Sequence, residues 1–542
     1  MPAVPPVFQL LLPEIILIAG ASIVLIAGLS RSLRQSSMAL SLIYVLGAIY
    51  AAWRLSDPRF TAQAFGVSAL NHGPLVWYVR LVTLSVGALI LLVNRHVPEE
   101  TERGEFFALI LFSLAGVLLV ALANNFVLLF LALELVSVPT YILIGLSRRN
   151  LRAQEATAKY FFLGAFAAAM TLYGFSFLYG ASGTLQMFGP GGMAFWFAAE
   201  LGAGHQPMSD PLLLVGLLLA VGGLGFKVAA VPLHFYAPDV YQGAASPITG
   251  MLGFVPKFAG FIAIIRLLSL CHWQYGDAVF WLLWGLAAAT MTVGNTLALM
   301  QHNAKRMLAY SSIAHTGYML VALAAGPFAG RSGLSALLFY MAVYGVMNLG
   351  AFAALACFRK IGDDGEEDSA EQVDDLAGVA RRHPWAALAL AICVLGLMGF
   401  PLTGGFVGKF SLLVSALSAQ AASAGPRHGA MLVLVVIAVV NAAIAAAYYL
   451  RILASCYLGK PAPGIVPTKC HALRVSLGLC ALLVLALFMW PGTLMNASQD
   501  AVRRASRNAS VPAVALDGAA RRENDGRLME RKADRGSKGR AD

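Results

Sequence analysis

Five ionisable side chains stand inside apolar stretches of a 542-residue sequence, and their types and spacing suit the storage and passage of protons. Glu134 interrupts FLALELVSVPTYIL, Lys227 lies in GLGFKVAAVPLHFY, Lys257 in GFVPKFAGF and Lys409 in GLMGFPLTGGFVGKF. The fifth, Lys159, follows Glu155 by four residues. An ionisable group at membrane depth costs several kcal/mol unless it is paired or hydrated. Burial disfavours an ammonium and a nearby carboxylate favours it, so a Lys–Glu pair holds a proton that is released when the partner moves. Two readings of Lys159 stand side by side: an i,i+4 pair with Glu155 whose amine snorkels to water, or a contact with Glu134 on the neighbouring stretch. Lys257 likewise reads either as a relay group or as a stem packed on Pro256 with its amine in a hydrated pocket. His315, beside Tyr310, Ser311 and Ser312, and His234 are candidates for handing protons between lysines, although a lone helical histidine also reads as a core residue. Glu14 and Arg80 are expected to pair with each other or with a partner subunit.

These groups need a membrane to matter, and the composition supplies one. Hydrophobic residues make up 59% of the chain and charged residues 12%, against roughly 25% charged in a soluble domain. Apolar windows place fourteen helical spans near 8–28, 38–54, 75–94, 106–123, 125–146, 156–180, 211–231, 247–270, 278–300, 307–326, 333–358, 386–419, 430–457 and 472–490. On this placement Glu134 is the tenth residue of span 5, about 14 Å along a helix rising 1.5 Å per residue. The expected fold is therefore an all-α polytopic membrane protein. The start carries no basic n-region of a cleaved signal, so the N-terminus is expected to be retained.

Prolines and glycines mark where these helices break. Pro139 interrupts span 5, Pro232 follows Lys227 by five residues in span 7, and Pro401, Gly404 and Gly405 break span 12 ahead of Lys409. Each proline frees a backbone carbonyl that water can occupy. Spans 7 and 12 are five apart. A five-span unit repeated once is inverted in the membrane, and the order of break and lysine swaps as inversion requires, which is where transporters place ion sites. The expected organisation is a three-span segment (1–105), a first five-helix repeat (106–270), its inverted partner (278–457), a last span (458–492) and a polar, disordered tail (493–542).

Loops after odd-numbered spans carry sixteen Lys and Arg residues and the opposite loops four. The positive-inside rule then puts the N-terminus outside and the loop 359–384 in the cytoplasm. The eleven Lys and Arg residues of the tail run against that bias. Six scattered cysteines show neither CxxC nor Cys/His spacing, so no metal or iron–sulfur site is expected. The glycines around Lys409 do not form a phosphate loop. The net charge of +11 sits beside apolar spans instead of in one stripe, which argues against nucleic acid.

The segments ELVSVPTYIL, FKVAAVPLHFYAPDVYQGAASPITGMLGFVPKFAGF, KRMLAYSSIAHTGYML and PLTGGFVGKF resemble the antiporter-like membrane subunits of respiratory complex I, the proton-translocating NADH:quinone oxidoreductase. The similarity runs from about residue 8 to 492, and lysine at both 257 and 409 favours the subunit N type over L and M. The resemblance implies that Glu134, Lys159, Lys227, Lys257 and Lys409 form a charged axis of proton translocation. It also implies a bacterial inner membrane, partnership with the other membrane subunits, and no redox cofactor in this chain. Flavin mononucleotide, iron–sulfur clusters and the quinone site would belong to partners. A subunit of a multi-subunit cation/proton antiporter would share the broken helices and lysines, and a non-pumping structural subunit is a third reading.

Overall fold

The computed structural model describes residues 6–55, 70–274, 276–327, 332–361, 367–422, 426–468 and 470–509. Among the described residues, eleven helices are long and apolar enough to cross a bilayer, and four shorter apolar helices accompany them. Backbone groups have no water to bond in hydrocarbon, and helices satisfy them internally. The first six spans are α1 Leu12–Ala27, α2 Ser37–Arg54, α3 Pro74–Val93, α4 Arg103–Leu122, α5 Phe126–Ser147 and α6 Leu151–Ser182. Span 7 is α7 Pro211–Lys227, a non-helical turn and the short α8 Ala237–Gly243. Span 8 is α9 Ser246–Leu252 and α10 Val255–Leu270. Then come α11 Asp277–Leu299, α12 Ala304–Ala325, α13 Gly333–Ala356, α14 Pro384–Met398, α15 Gly404–Ala422, α16 Pro426–Leu458 and α17 His471–Met489.

Polar residues just ahead of the apolar runs set several starts. Asn125, Asn150, Asp210, Asn303 and Ser332 each accept a backbone N–H from the first turn of α5, α6, α7, α12 and α13. Burial then sorts the helices. α13 and the α9–α10 pair are wholly enclosed, whereas α2 keeps a largely open face. α13 packs against α9, α12, α14, α15 and α17 and forms the middle of the second half. Glu14 and Arg80 pair with each other: Nε and Nη2 of Arg80 each donate to the Glu14 carboxylate at 2.8 Å, and Nη2 also donates to the Leu10 carbonyl. This bidentate fork ties α1 to α3.

Two strands between α13 and α14 and a third between α16 and α17 form a three-stranded antiparallel sheet. Its strands are β1 Phe358–Ile361, β2 Glu367–Ser369 and β3 Ile465–Pro467, in the order β2-β1-β3. Arg359 pairs with Ser369 and Phe358 with Pro467.

Two expectations need correction, and one unassigned segment gains structure. The tail expected to be disordered from 493 begins with an 18-residue helix, α18 Gly492–Ala509. Composition misled there, because the periodicity is amphipathic: Ser498, Ala501 and Val502 are buried while Thr493, Asn496 and Asp500 face outward. α18 packs on α3 and α13. Residues 510–542 of that tail lie outside the described residues. The segment 182–210, which no apolar window claims, contains a helix at Met193–Gly202. Span 8 is not one helix but two, because the chain turns at Gly253 and Phe254 ahead of Pro256.

Candidate functional site

The line of buried polar groups starts on α5. Pro139 lies inside this helix and offers no N–H to the carbonyl one turn earlier. The Ser137 hydroxyl donates to the Leu133 carbonyl at 2.8 Å and accepts from Lys227 Nζ at 2.5 Å. Lys227 also donates to Glu134 Oε1 at 3.3 Å. The lysine is 6% exposed and the glutamate 26%, so the pair has one sealed and one accessible member. Lys227 is the last residue of α7, where its charge opposes the negative end of the helix dipole.

Lys257 sits in the first turn of α10, the end at which a cation is least favoured by the dipole. Among the described residues no carboxylate holds it. Its ammonium instead donates to the carbonyl and hydroxyl of Ser312, both at 2.6 Å, and to Thr316 Oγ1 at 3.1 Å. That uses all three donors on groups of α12, a different seat from a hydrated pocket beside Pro256. Thr316 in turn donates to the Val228 carbonyl at 2.6 Å, next to Lys227. Ser312 Oγ receives Tyr344 OH at 2.7 Å and pairs with Tyr241 OH at 3.3 Å.

One turn along α12, both ring nitrogens of His315 are engaged. Nδ1 pairs with Tyr340 OH at 2.6 Å and Nε2 with Tyr449 OH at 3.0 Å. Tyr449 OH also bonds the Ser311 hydroxyl. Tyr310, although near in sequence, is not a partner of His315. Tyr318 continues the line, its ring centroid 6.1 Å from that of His315, and Lys409 Nζ lies 5.0 Å from the Tyr318 ring centroid. Lys409 donates to the carbonyls of Leu397 and Met398 at 2.8 and 3.0 Å. These are the open C-terminal carbonyls of α14, which the break at Gly399–Thr403 leaves without helical partners. Gly399 and Leu402 there have positive φ (83° and 74°), and a Cβ at Gly405 would overlap the Gly396 carbonyl oxygen.

Two candidates lie off this line. Lys159 does not reach Glu134. It bonds Glu155 Oε1 at 2.6 Å and Asp239 Oδ2 at 2.9 Å, with its side chain 41% exposed. His234 is half-buried, and Nδ1 contacts the nearby Pro232 carbonyl at 3.3 Å.

Near the sheet, a second ionic cluster holds the same helices together. Asp239 on α8 joins Lys159 to Arg306 of α12 (2.6 Å). Glu371, after β2, receives Arg148 at 2.7 Å and Lys305 at 3.2 Å, and Lys305 also donates to the Gln242 and Ala244 carbonyls. Partial burial alone raises the Glu371 pKa, but Lys305 and Arg148 outweigh it and hold the carboxyl below the usual glutamate range. The sequence reading missed Tyr340, Tyr449, Asp239 and Glu371. For Tyr340 a signal existed: Tyr340, Tyr344 and Asn348 recur every four residues, which sets three polar groups on one face of an apolar helix. Among the described residues, no group of three His, Cys, Asp or Glu side chains is placed to hold a metal ion.

The family model described as "NADH:quinone oxidoreductase/Mrp antiporter, TM" matches residues 123–442, the stretch that holds every group on the line except Tyr449. A subunit N of NADH-quinone oxidoreductase from Solibacter usitatus is 36% identical over 494 residues, covering 90% of this chain and 95% of the relative. The chain belongs to the NADH-quinone oxidoreductase subunit N family. Another family member, from Salinibacter ruber, is 39% identical over 413 residues, covering 74% of this chain and 76% of its own length. Among solved structures, a chain of respiratory complex I from Thermus thermophilus superposes with a TM-score of 0.72 at 29% identity, covering 90% of this chain and 99% of its own. A chain of the Mrp complex from Dietzia superposes with a TM-score of 0.74 at 20% identity over 91% of this chain and 98% of its own, a likeness of fold. Membership of the subunit N family makes the chain a multi-pass membrane protein.

Proposed function

We propose that this chain is a proton-translocating membrane subunit of a bacterial NADH:quinone oxidoreductase, set in the inner membrane with its N-terminus outside. The observation that carries the reading is the buried line from Glu134 and Lys227 through Lys257 and His315 to Lys409, whose five members all fall within the family's matching segment.

Each group has a distinct part. Glu134 offsets the cost of charge on Lys227, so a shift of α5 that withdraws the carboxylate favours proton release from the amine. Lys257, hydrogen-bonded but without a carboxylate among the described residues, is the acceptor side of such an exchange. Tyr340, Tyr449, Ser311 and Ser312 supply hydroxyls that accept one proton as they donate another, and His315 links two of them. Lys409 takes the far end, seated on the open carbonyls of α14. Lys159 acts at the rim, where Asp239 and Glu155 hold it near water, and His234 stays close to the α7–α8 turn. The broken helices at 228–236 and 399–403 support an inverted pair of repeats, 106–270 and 278–457, because each places a lysine against the C-terminal end of a half-helix.

No redox group is assigned to this chain. NADH, quinone, flavin and iron–sulfur chemistry fall to partner subunits, and the energy that moves these protons arrives as a conformational or electrostatic change from them. Lys409→Ala in the assembled enzyme tests this. NADH-driven proton transport is expected to fall roughly tenfold or more, while NADH oxidation by an artificial acceptor, which bypasses the membrane subunits, stays unchanged. Sodium–proton exchange at full rate by the chain with partners that lack flavin and iron–sulfur proteins would instead select the antiporter reading, which the likeness of fold to the Mrp chain keeps in view.

A further inference from the structure

A cavity of about 460 Å³ opens between the first turns of α14 and α17, beneath the three-stranded sheet and away from the proton line. Its two ends differ in chemistry. At the mouth stand Arg382 and Arg474, both exposed, whose hydrogen bonds run to the carbonyls of Ala462 (3.3 Å) and Thr468 (3.1 Å). Among the described residues neither guanidinium is paired with a carboxylate, so charged donors face the opening unneutralised. His383, beside them, is held below the usual histidine range by partial burial and by these two positive charges. α14 and α17 both begin at this mouth, and neither N-terminus is closed by a side-chain cap.

Below the mouth the lining is apolar. Trp385, 81% exposed, stands at the rim, and Leu388 and Ile392 continue down α14. Leu477 and Ala481 face them from α17, and Gly478 leaves open space between, with nothing within 4 Å of where a Cβ would stand. From His383 to Ile392 is nine residues, about 13 Å of helix, close to the thickness of one leaflet's hydrocarbon, about 15 Å.

We infer that this cleft is a binding site for an anionic phospholipid, with the phosphate between Arg382 and Arg474 and an acyl chain lying along α14 and α17 over Gly478. Charge complementarity favours that occupant, since basic pockets at helix ends on the positive side of a membrane protein recognise acidic headgroups. A free anion would fill the mouth and leave the apolar floor empty. A partner's apolar helix would leave both arginines uncompensated. The tryptophan at the rim is where an amphipathic ring belongs, at headgroup level.

The test uses the purified membrane assembly carrying this chain, in nanodiscs of phosphatidylcholine with a trace of phosphatidylglycerol bearing a photoreactive acyl chain. Cross-links are expected on peptides spanning 385–392 and 475–482, displaced by unlabelled phosphatidylglycerol and not by added phosphatidylcholine. Arg382→Gln with Arg474→Gln should weaken that displacement roughly thirtyfold, about fivefold per guanidinium. At Gly478 an added Cβ meets nothing within 4 Å, so Gly478→Leu projects into the cleft and should remove the cross-links, while Gly478→Ala, which adds only that Cβ, should leave the melting temperature unchanged. Equal displacement by phosphatidylcholine, displacement by inorganic phosphate, labelling indifferent to these variants, or no labelling in the intact assembly would each overturn the inference.

Discussion

At the residue scale, four of the buried cations are distinguished by what holds them. Lys227 has a carboxylate, Lys257 has hydroxyls and a carbonyl, Lys409 has two carbonyls and an aromatic face, and Arg80 has a bidentate carboxylate and the Leu10 carbonyl. Only the last is a closed pair, and a closed pair has no proton to give. Glu134 and Lys227 form an open one. Glu134→Ala and Lys227→Ala should each lower proton transport severalfold with the assembly intact, and the double variant should lose less than the two losses combined, because groups that act as a unit are not additive. Transport in inverted vesicles, beside immunoblots of assembly, measures both; strictly additive losses would assign the pair a structural role. The charged members of this line were legible in the sequence because a lysine in an apolar run is too costly to keep without a use. Ser311 and Ser312 were visible beside His315, but Tyr340 and Tyr449 were not, because Tyr in a membrane helix is common and meets a histidine only when another helix brings it there, as α16 brings Tyr449 to His315.

At the element scale, helix interruptions position the lysines, and at Gly399 (φ 83°) a glycine lets the chain turn. Pro232 and Pro401 announced two of them. The third, before Lys257, was hidden because Pro256 sits at the start of α10, where proline is also at home. Close approach gives Gly405 its own test. Gly405→Ala should destabilise the protein by about 1–3 kcal/mol through overlap with the Gly396 carbonyl, seen as a lowered melting temperature, whereas Gly180→Ala, in open space, should not. The ionic cluster under the sheet predicts a pH effect of definite sign. The Glu371 pKa is lower in the folded protein than in an unfolded chain, so its stabilisation is complete above the ordinary glutamate value and is lost as pH falls through the folded value. Amide protection factors of residues 370–378, that is, exchange corrected for its intrinsic pH dependence, should therefore fall as the medium is acidified through the carboxylate range. In Glu371→Gln the protection factors should already be low at neutral pH and change little on acidification. A wild-type loop indifferent to that titration would remove Glu371 as its anchor.

At the scale of the whole molecule, the helical membrane fold was readable from hydropathy alone, since repeated long apolar runs can satisfy their backbone only as spanning helices. Orientation rests on loop charge, and it predicts that Gln372→Cys reacts with an impermeant thiol reagent only from the cytoplasmic side and His205→Cys only from outside. Both positions are exposed, and of the native cysteines only Cys470 is not buried. Labelling of the Gln372→Cys protein but not the His205→Cys protein in intact cells would reverse the topology. Less legible was the helix after the last span, where polar composition concealed a periodic face. That helix, α18, lies on α3 and α13, so the final stretch of the described chain touches both its first third and its centre. A ribosome delivers α18 after every span it rests on. The contacts of α18 with α3 and α13 can therefore form only once translation has passed residue 509, after every other described helix has been made.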